Sequence, residues 1–414
     1  MVSNSLGSAH EGTPPYLGDS LRDSFLRNAP NYIKNYIIIW RGIMIVNKLI
    51  IKNYRNFIEA EAELNDSLNI FIGDNGQGKT NLMESIYIAS IGRTFRLNSE
   101  NELINFFENK SSVEIHLFKN NYKIKIEIIL EKNKRKTVFI NGVKLDKTSE
   151  MIGVLNNVIF TPDDMKIIKG SPVERRKFIN IDISQIKPKY KYLLNKYKKI
   201  TTERNLILKN YRTKYENKDI ISIWNDYLVN TGTEISMYRN EYIMKLKKYA
   251  ADIYSSISGN KESLDVIYSS SIGCITNREE VKKMFYEKIN NNFNNEVIKG
   301  TSLYGPHKDD ILIKINGKEC KYFGSQGQQR SAILALKLAE IEIIKEEVGE
   351  YPILLLDDVL SELDNKRKSY LMEHIKGIQT IITGTDDHDL NILTNNFNKK
   401  VFYISEGKIG NISN

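Results

Sequence analysis

Cysteine is nearly missing from this sequence. There are two in 414 residues, Cys274 and Cys320, far apart and without a CxxC pair. That excludes a disulfide framework and a thiolate zinc site, and it favours a reduced, cytosolic compartment. Histidine is scarce too: five, scattered, with no metal-ligand spacing. No apolar run approaches the ~18 residues a membrane span needs. The longest, "YIIIW" at 36–40 and "PILLL" at 352–356, are strand-sized. The opening "MVSNSLGSAHEG" lacks the basic start and apolar core of a secretory signal. There is no internal repeat and no heptad pattern sustained over several turns.

What is present is an ordinary globular composition and enough length for two or three domains. The formal charge is +9, and it is unevenly placed. Residues 165–300 hold 26 Lys+Arg against 15 Asp+Glu, a net +11, which leaves −2 for the remainder. Such a segment is either a solvated lysine face or a surface for a polyanion.

Residues 1–43 are rich in Gly, Ser, Pro and Asn without periodicity, as a disordered extension would be, and Met44 is the expected natural start. Residues 44–164 read as strands around one helix. "SLNIFIG" (67–73) is a short strand, followed by a glycine turn and an amphipathic helix, "TNLMESIYIASI" (80–91). "SVEIHLF" and "YKIKIEIIL" alternate as half-buried antiparallel strands do, and "TVFINGVKL" predicts a hairpin at Asn141-Gly142. Residues 165–300 form a basic insert, helical from about 172 to 250. Residues 301–414 return to strand–helix alternation. There "PILLLDD" and "QTIITGTD" predict central strands of a parallel sheet, and a closing hairpin turns at Glu406-Gly407.

The strongest chemical signal is "GDNGQGKT", Gly73 to Thr80. It fits G-x-x-x-x-G-K-[ST] between a strand and a helix. Its glycines let backbone N–H groups curl around phosphates, and the helix start adds its positive dipole end. The candidate nucleotide-binding set is Gly73, Asn75, Gly76, Gln77, Gly78, Lys79, Thr80 and the adjoining Asn81. Lys79 would reach the β/γ-phosphates of ATP, and Thr80 would place its hydroxyl on Mg²⁺.

The second signal is "ILLLDDVLSELD", 353–364, an apolar strand ending in two carboxylates. Asp357 would hold the Mg²⁺ shell and Asp358 would polarise the attacking water, so Asp358 joins Lys79 as a catalytic candidate. Thr80 and Asp357 lie 277 residues apart. The ATPase core is therefore split by a large insertion.

A third stretch, "GSQGQQRSAIL" (324–334), is a glycine turn opening a helix and carries no acid, histidine or cysteine. It has the Ser-x-Gly-x-x form of the ABC-class signature, which meets ATP across a two-fold interface with a second copy. Ser325, Gly327 and Gln328 would contact the partner's nucleotide.

With these motifs in order, the chain from 44 to 414 resembles the RecF family of bacterial recombination-mediator ATPases, related to SMC-type heads. "NYRNF" (53–57), "FTPDDMKIIKGSPVERRKFIN" (160–180), "YGPHKDD" (304–310), "SQGQQRS" (325–331) and "LLLDDVLSELD" (354–364) carry the resemblance. It implies an α/β fold: an ABC-type P-loop ATPase head, a mixed sheet with helices, bearing an inserted, mainly helical second lobe. It further implies that Arg55 and Asn56 touch the nucleotide near its phosphates, and that Ser361 and Asp364 face the partner's P-loop. His307 is more often structural than catalytic in such a setting. Asn180 departs from the family pattern, where an acid is usual; Asp182 stands nearby, and local capping is what the departure touches.

The implied function is an ATP-switched clamp: a homodimer closing on duplex or gapped DNA and helping to load RecA with RecO and RecR, in the cytoplasm at the nucleoid. Arg175, Arg176, Lys177, Lys196, Lys198 and Lys199 are the DNA candidates, the last three within "KPKYKYLLNKYKK" (187–199). Two other readings share the motifs. An ABC transporter's ATP-driving subunit would present a double-glycine signature and a membrane partner's docking site in place of a basic lobe. A long-armed chromosome tether needs hundreds of heptad residues.

Overall fold

The computed structural model describes residues 44–96, 99–120, 122–214, 218–385, 390 and 393–413. The extension expected at 1–43 lies outside them. The chain runs β1 (Ile45–Tyr54), β2 (Phe57–Glu63), β3 (Leu68–Ile72), α1 (Lys79–Ile91), β4 (Lys110–Lys119), β5 (Tyr122–Glu131), β6 (Thr137–Ile140), β7 (Val143–Lys144) and β8 (Asn157–Phe160). Helices follow: α2 (Met165–Lys169), α3 (Pro172–Ile186), α4 (Pro188–Lys214) and α5 (Lys218–Ser258). Then come β9 (Leu264–Ser269), α6 (Arg278–Asn291), α7 (Phe293–Lys299), β10 (Asp310–Ile315), β11 (Lys318–Glu319), α8 (Cys320–Phe323) and α9 (Gln326–Val348). The last elements are β12 (Ile353–Asp357), α10 (Asn365–His374), β13 (Thr380–Gly384), β14 (Lys399–Ser405) and β15 (Lys408–Ser413).

Two six-stranded sheets enclose α1. One is antiparallel, in the order β2-β1-β4-β5-β6-β7. The other runs β15-β14-β3-β13-β12-β8 and is parallel except for the β14–β15 hairpin. Strand periodicity explains how one strand serves two cores. Ile353 and Leu355 of β12 face the α1 side, and Leu354 and Leu356 face the opposite core with α9. The helix expected to be amphipathic over 80–91 is not. Wedged between sheets, it buries Leu82, Met83 and every residue from there to Ile91. Gln379 ties the sheets together: its amide oxygen accepts from Val46 N–H at 2.7 Å and its amide nitrogen donates to Val46 O at 2.8 Å.

The basic segment is mostly helical, with α5 packed along α4 and α9. β10, beyond residue 300, pairs with β9 on one side and β11 on the other, so one three-stranded sheet spans the boundary drawn from the sequence. Buried guanidiniums fasten "YGPHKDD" to the helices. Arg239 donates to Pro306 O at 2.6 Å, Asn180 Oδ1 at 3.0 Å and the Tyr190 hydroxyl at 3.0 Å. Asn180 thus sits inside α3 as a partner of Arg239, and its role is not capping. His307 is similarly occupied. Its Nε2–H donates to Ser302 O at 3.0 Å and its Nδ1 accepts from the Tyr197 hydroxyl at 2.9 Å. Burial pushes its pKa down to about 4, so the ring is neutral and held.

Candidate nucleotide site

The hairpin between β1 and β2 turns on two residues, with Tyr54 opposite Phe57. Arg55 takes a left-handed φ of 55° there, which aims its guanidinium back at α1. It grips Glu84 Oε2 from Nε at 3.0 Å and Nη2 at 2.7 Å, and Glu84 is fully buried. The other oxygen of Glu84 accepts from the Thr94 hydroxyl. Asn56 supports the P-loop directly, donating to Gln77 O at 2.8 Å and accepting from Asn81 Nδ2 at 2.8 Å. Gln77 Oε1 accepts from Glu406 N–H at 2.6 Å, so the closing hairpin braces the loop's other side.

Only glycine fits at 78. Its φ is 117°, and a Cβ would lie 2.7 Å from both the Phe57 ring and the Asn56 amide. Gly73 is equally confined, with a Cβ falling 2.2 Å from Ile404 O of β14. The loop is thereby held against two strands, and its N–H groups, apart from that of Gln77, which donates to Asp74 O at 3.4 Å, are placed to face an anion. Lys79 folds across it and donates to Gly73 O at 2.5 Å and Asp74 O at 2.9 Å. Burial lowers its pKa, and Asp358, Asp74 and Asp357 act against that.

Thr80 Oγ1 donates to Asp357 Oδ1 at 2.8 Å, and Thr383 Oγ1 donates to the same oxygen at 2.9 Å. Burial raises the pKa of Asp357 despite these bonds. A buried carboxylate beside a hydroxyl, in want of a cation, fits Mg²⁺, which takes one or two carboxylates and completes its shell with phosphate and water. Asp358 follows in the left-handed region, φ 53° and ψ 20°, its N–H donating to Thr383 Oγ1 at 3.0 Å. Such backbone strain is concentrated at working sites. It turns the second carboxylate out of the strand and into the cavity.

That cavity, about 1100 Å³, is lined by Arg55, Asn56, Asn75, Gly76, Gly78, Lys79, Thr80, Asn81 and Asp358 from the expected set. Gly73, Gln77 and Asp357 do not line it; Asp357 reaches it through its bond to Thr80 and itself lines a second cavity of about 540 Å³. Arg96, Asn101, Phe106, Lys132 and Thr383 line it without having been foreseen. Of these, Thr383 had a signal: it ends the second apolar strand and pairs in register with Asp357. Arg96 and Lys132 had none.

Ser325, Gly327, Gln328, Ser361 and Asp364 do not line the cavity. Ser325 caps α9, accepting from Gln328 N–H at 3.2 Å, while Gln328 Oε1 accepts from Ser325 N–H at 2.8 Å. Asp364 caps α10, accepting from Arg367 N–H at 3.0 Å. Arg367 then donates to Gly327 O at 2.8 Å and Ser331 Oγ at 2.8 Å, and also pairs with Asp364. Sequence reasoning missed this bridge.

Among the basic candidates, Arg175 is a correction. It is buried and forks onto Asp310 at 2.7 and 2.8 Å, which removes it from any surface. Arg176 is half-buried and donates to Asp309 O at 2.5 Å. Lys177, Lys196, Lys198 and Lys199 are exposed. Tyr190 and Tyr197 of the same run belong to the core.

Residues 45–406 match the family model described as RecF/RecN/SMC N terminal domain. A DNA replication and repair protein RecF from Clostridium kluyveri is 42% identical over 371 residues, 89% of this chain and 100% of that protein. The chain belongs to the RecF family. A second RecF, from Alkaliphilus oremlandii, is 42% identical over 88% of this chain and 100% of its own length. A solved RecF–ATP structure, described as the recombination mediator of the RecFOR pathway, superposes with TM-score 0.84 at 34% identity, covering 89% of this chain and 98% of that one. An SMC head from Pyrococcus furiosus shares the fold, with TM-score 0.52 at 16% identity over 90% of this chain and 96% of that one. The ABC-type ATPase head expected from the RecF resemblance is thus the fold of this chain.

Proposed function

We propose that this protein is an ATP-switched DNA clamp and recombination mediator. It dimerises on ATP, binds duplex or gapped DNA, and is released by slow, DNA-stimulated hydrolysis. With RecO and RecR it helps to load RecA in repair and replication restart, in the cytoplasm at the nucleoid. One observation carries the reading: the P-loop cavity and the signature are both built, yet none of Ser325, Gly327 and Gln328 lines the cavity. A signature with no nucleotide of its own to touch needs another chain's, and two-fold pairing supplies it. The names of the RecF relatives and the ATP in the solved RecF support the rest.

In this reading the loop N–H groups and Lys79 hold the phosphates, and Asp358 orients and polarises the attacking water. Mg²⁺, held by Thr80 and Asp357, would neutralise charge on the phosphate oxygens. Exposed Lys196, Lys198 and Lys199 on α4 meet the DNA backbone without reading bases.

Gel filtration with ATP and magnesium, followed by salt-titrated binding to duplex DNA, tests it. ATP should convert monomer to dimer. Reversing Lys196, Lys198 and Lys199 to Glu should weaken DNA binding at every sequence and flatten the log–log salt slope by ~0.9 for each phosphate no longer neutralised. An ATP-bound protein without salt-sensitive affinity for duplex DNA would end the clamp reading.

A further inference from the structure

Arg93 follows the P-loop helix by two residues, past the Gly92 cap. It lines a cavity of about 260 Å³ with Arg176 and Lys177 of α3 and Lys191 of α4. No carboxylate lines this cavity. Among the described residues, Arg93, Lys177 and Lys191 have no ion-pair partner, and Arg176 spends one nitrogen on a backbone carbonyl. Burial lowers the Lys191 pKa, and the charges of Arg93, Lys136 and Lys198 lower it further. Four cations held together without an acid repel one another, and a bound anion relieves that. The volume falls below the ~300–1,000 Å³ of small-molecule pockets. It suits a phosphate group, not a nucleotide. The neighbourhood extends the charge: Lys198, exposed on the same helix α4, lies seven residues or about two turns beyond Lys191. A free anion needs no such extension; a polymer of phosphates does.

The pocket also has a short route to the nucleotide. α1 has 13 residues, about 20 Å, with Lys79 at one end and the Arg93 loop at the other. Three residues after Arg93, Arg96 lines the P-loop cavity, and its N–H donates to Thr94 Oγ1 at 3.0 Å. Thr94 bonds Glu84, the residue that holds Arg55 in the same cavity.

We propose that Arg93, Arg176, Lys177 and Lys191 seat one backbone phosphodiester of bound DNA, and that the loop 92–96 ties this contact to the nucleotide site. The proposal rests on the DNA-clamp reading and gives it a place where DNA acts on hydrolysis.

The test compares wild type, the double variant R93Q/K191Q, the rim variant K177Q and the charge-preserving R93K. Duplex affinity is measured across a salt series, with hydrolysis at saturating DNA relative to that without DNA. R93Q/K191Q should lose about five- to tenfold in affinity at 0.1 M salt and about one phosphate's worth of slope, ~0.9. It should also lose the DNA-induced rise in hydrolysis even when DNA is saturating. K177Q, at an exposed position, should reduce the slope by a similar amount, and R93K should keep the wild-type slope. The Lys196/Lys198/Lys199 reversal should lower affinity but keep the rise at saturating DNA. Wild-type slope and wild-type stimulation in both R93Q/K191Q and K177Q would overturn the pocket while leaving the clamp intact. Inorganic phosphate binding that R93Q/K191Q abolishes, with DNA behaviour unchanged, would make it a free-anion site and overturn the proposal equally. Absence of DNA binding in wild type would instead strike the functional reading on which it rests.

Discussion

Thr80 and Asp357 stand 277 residues apart in the chain and 2.8 Å apart in the fold, hydroxyl to carboxylate. The contact is made because β3, which leads into the P-loop, and β12 flank the same strand, β13, in one parallel sheet. Asp357→Asn keeps the hydrogen-bonding shape but removes the negative charge that a divalent cation needs. Hydrolysis should fall by about 10²-fold or more, in line with the loss of a metal's charge stabilisation. Calorimetric titration checks the cause: ATP with magnesium should bind no better than ATP with EDTA.

Asp358→Asn should behave differently. The phosphate cradle is untouched, so ATP binds and the dimer accumulates, while hydrolysis drops by about 10²–10⁴-fold with the loss of a positioned base. Light scattering on the ATP-incubated variant reads this directly. A monomer at saturating ATP would remove Asp358 from that role. Lys79→Met, by contrast, should give no ATP-dependent dimer at all.

If the signature meets a partner's nucleotide as proposed, Ser325→Arg should leave ATP binding to the monomer near wild type and block dimerisation and hydrolysis, because the new side chain would fill the space of that nucleotide's γ-phosphate. Mixed with Lys79→Met, it forms one composite site with neither defect, a sound P-loop facing a sound signature. Cross-linking of differently tagged copies should recover mixed dimers. Finding none in any nucleotide state would count against a site shared between chains.

Asp182 yields a pH prediction. It is buried with Glu340 and Lys337, beside the half-buried Asp164, around a cavity of about 540 Å³, and accepts from the Tyr242 hydroxyl at 2.8 Å. Burial raises its pKa to about 6 from the usual 3.8. The folded chain therefore holds a proton here that the unfolded chain has already released. Stability from this group is greatest below pH 4, falls as pH climbs to about 6, and stays low above. Asp182→Asn should flatten that decline and gain about 1–3 kcal/mol at pH 8 relative to pH 4. Urea unfolding of both proteins at several pH values checks the sign.

The residues legible in the sequence were those whose chemistry needs a fixed order along the chain. Gly73 to Thr80 and Asp357-Asp358 are such runs, and the apolar strands carrying them alternate or fill as their burial requires. Glu84 was hidden because an acid in an apolar helix reads as its wet side. The helix has no wet side, and the guanidinium that neutralises Glu84 arrives from a hairpin 29 residues away. Arg175, Arg176 and Lys177 look alike in sequence. A helix turns each by about 100° from the last, so the first enters the core, the second stops half-way, and the third meets water. Arg367 could not be foreseen, since its partners lie on α9 across a loop whose path no local pattern sets.

Arg367 has a mechanical consequence. One guanidinium grasps the first turn of α9 through Gly327 and Ser331, and the cap of α10 through Asp364. The two tips are joined directly through this side chain, without passing through the sheet. A surface that presses on the signature therefore meets a buckle with two prongs on one bar. The two prongs differ in kind: the one on Asp364 stays within the first turn of α10, and the one on Gly327 and Ser331 is what joins that turn to the signature helix.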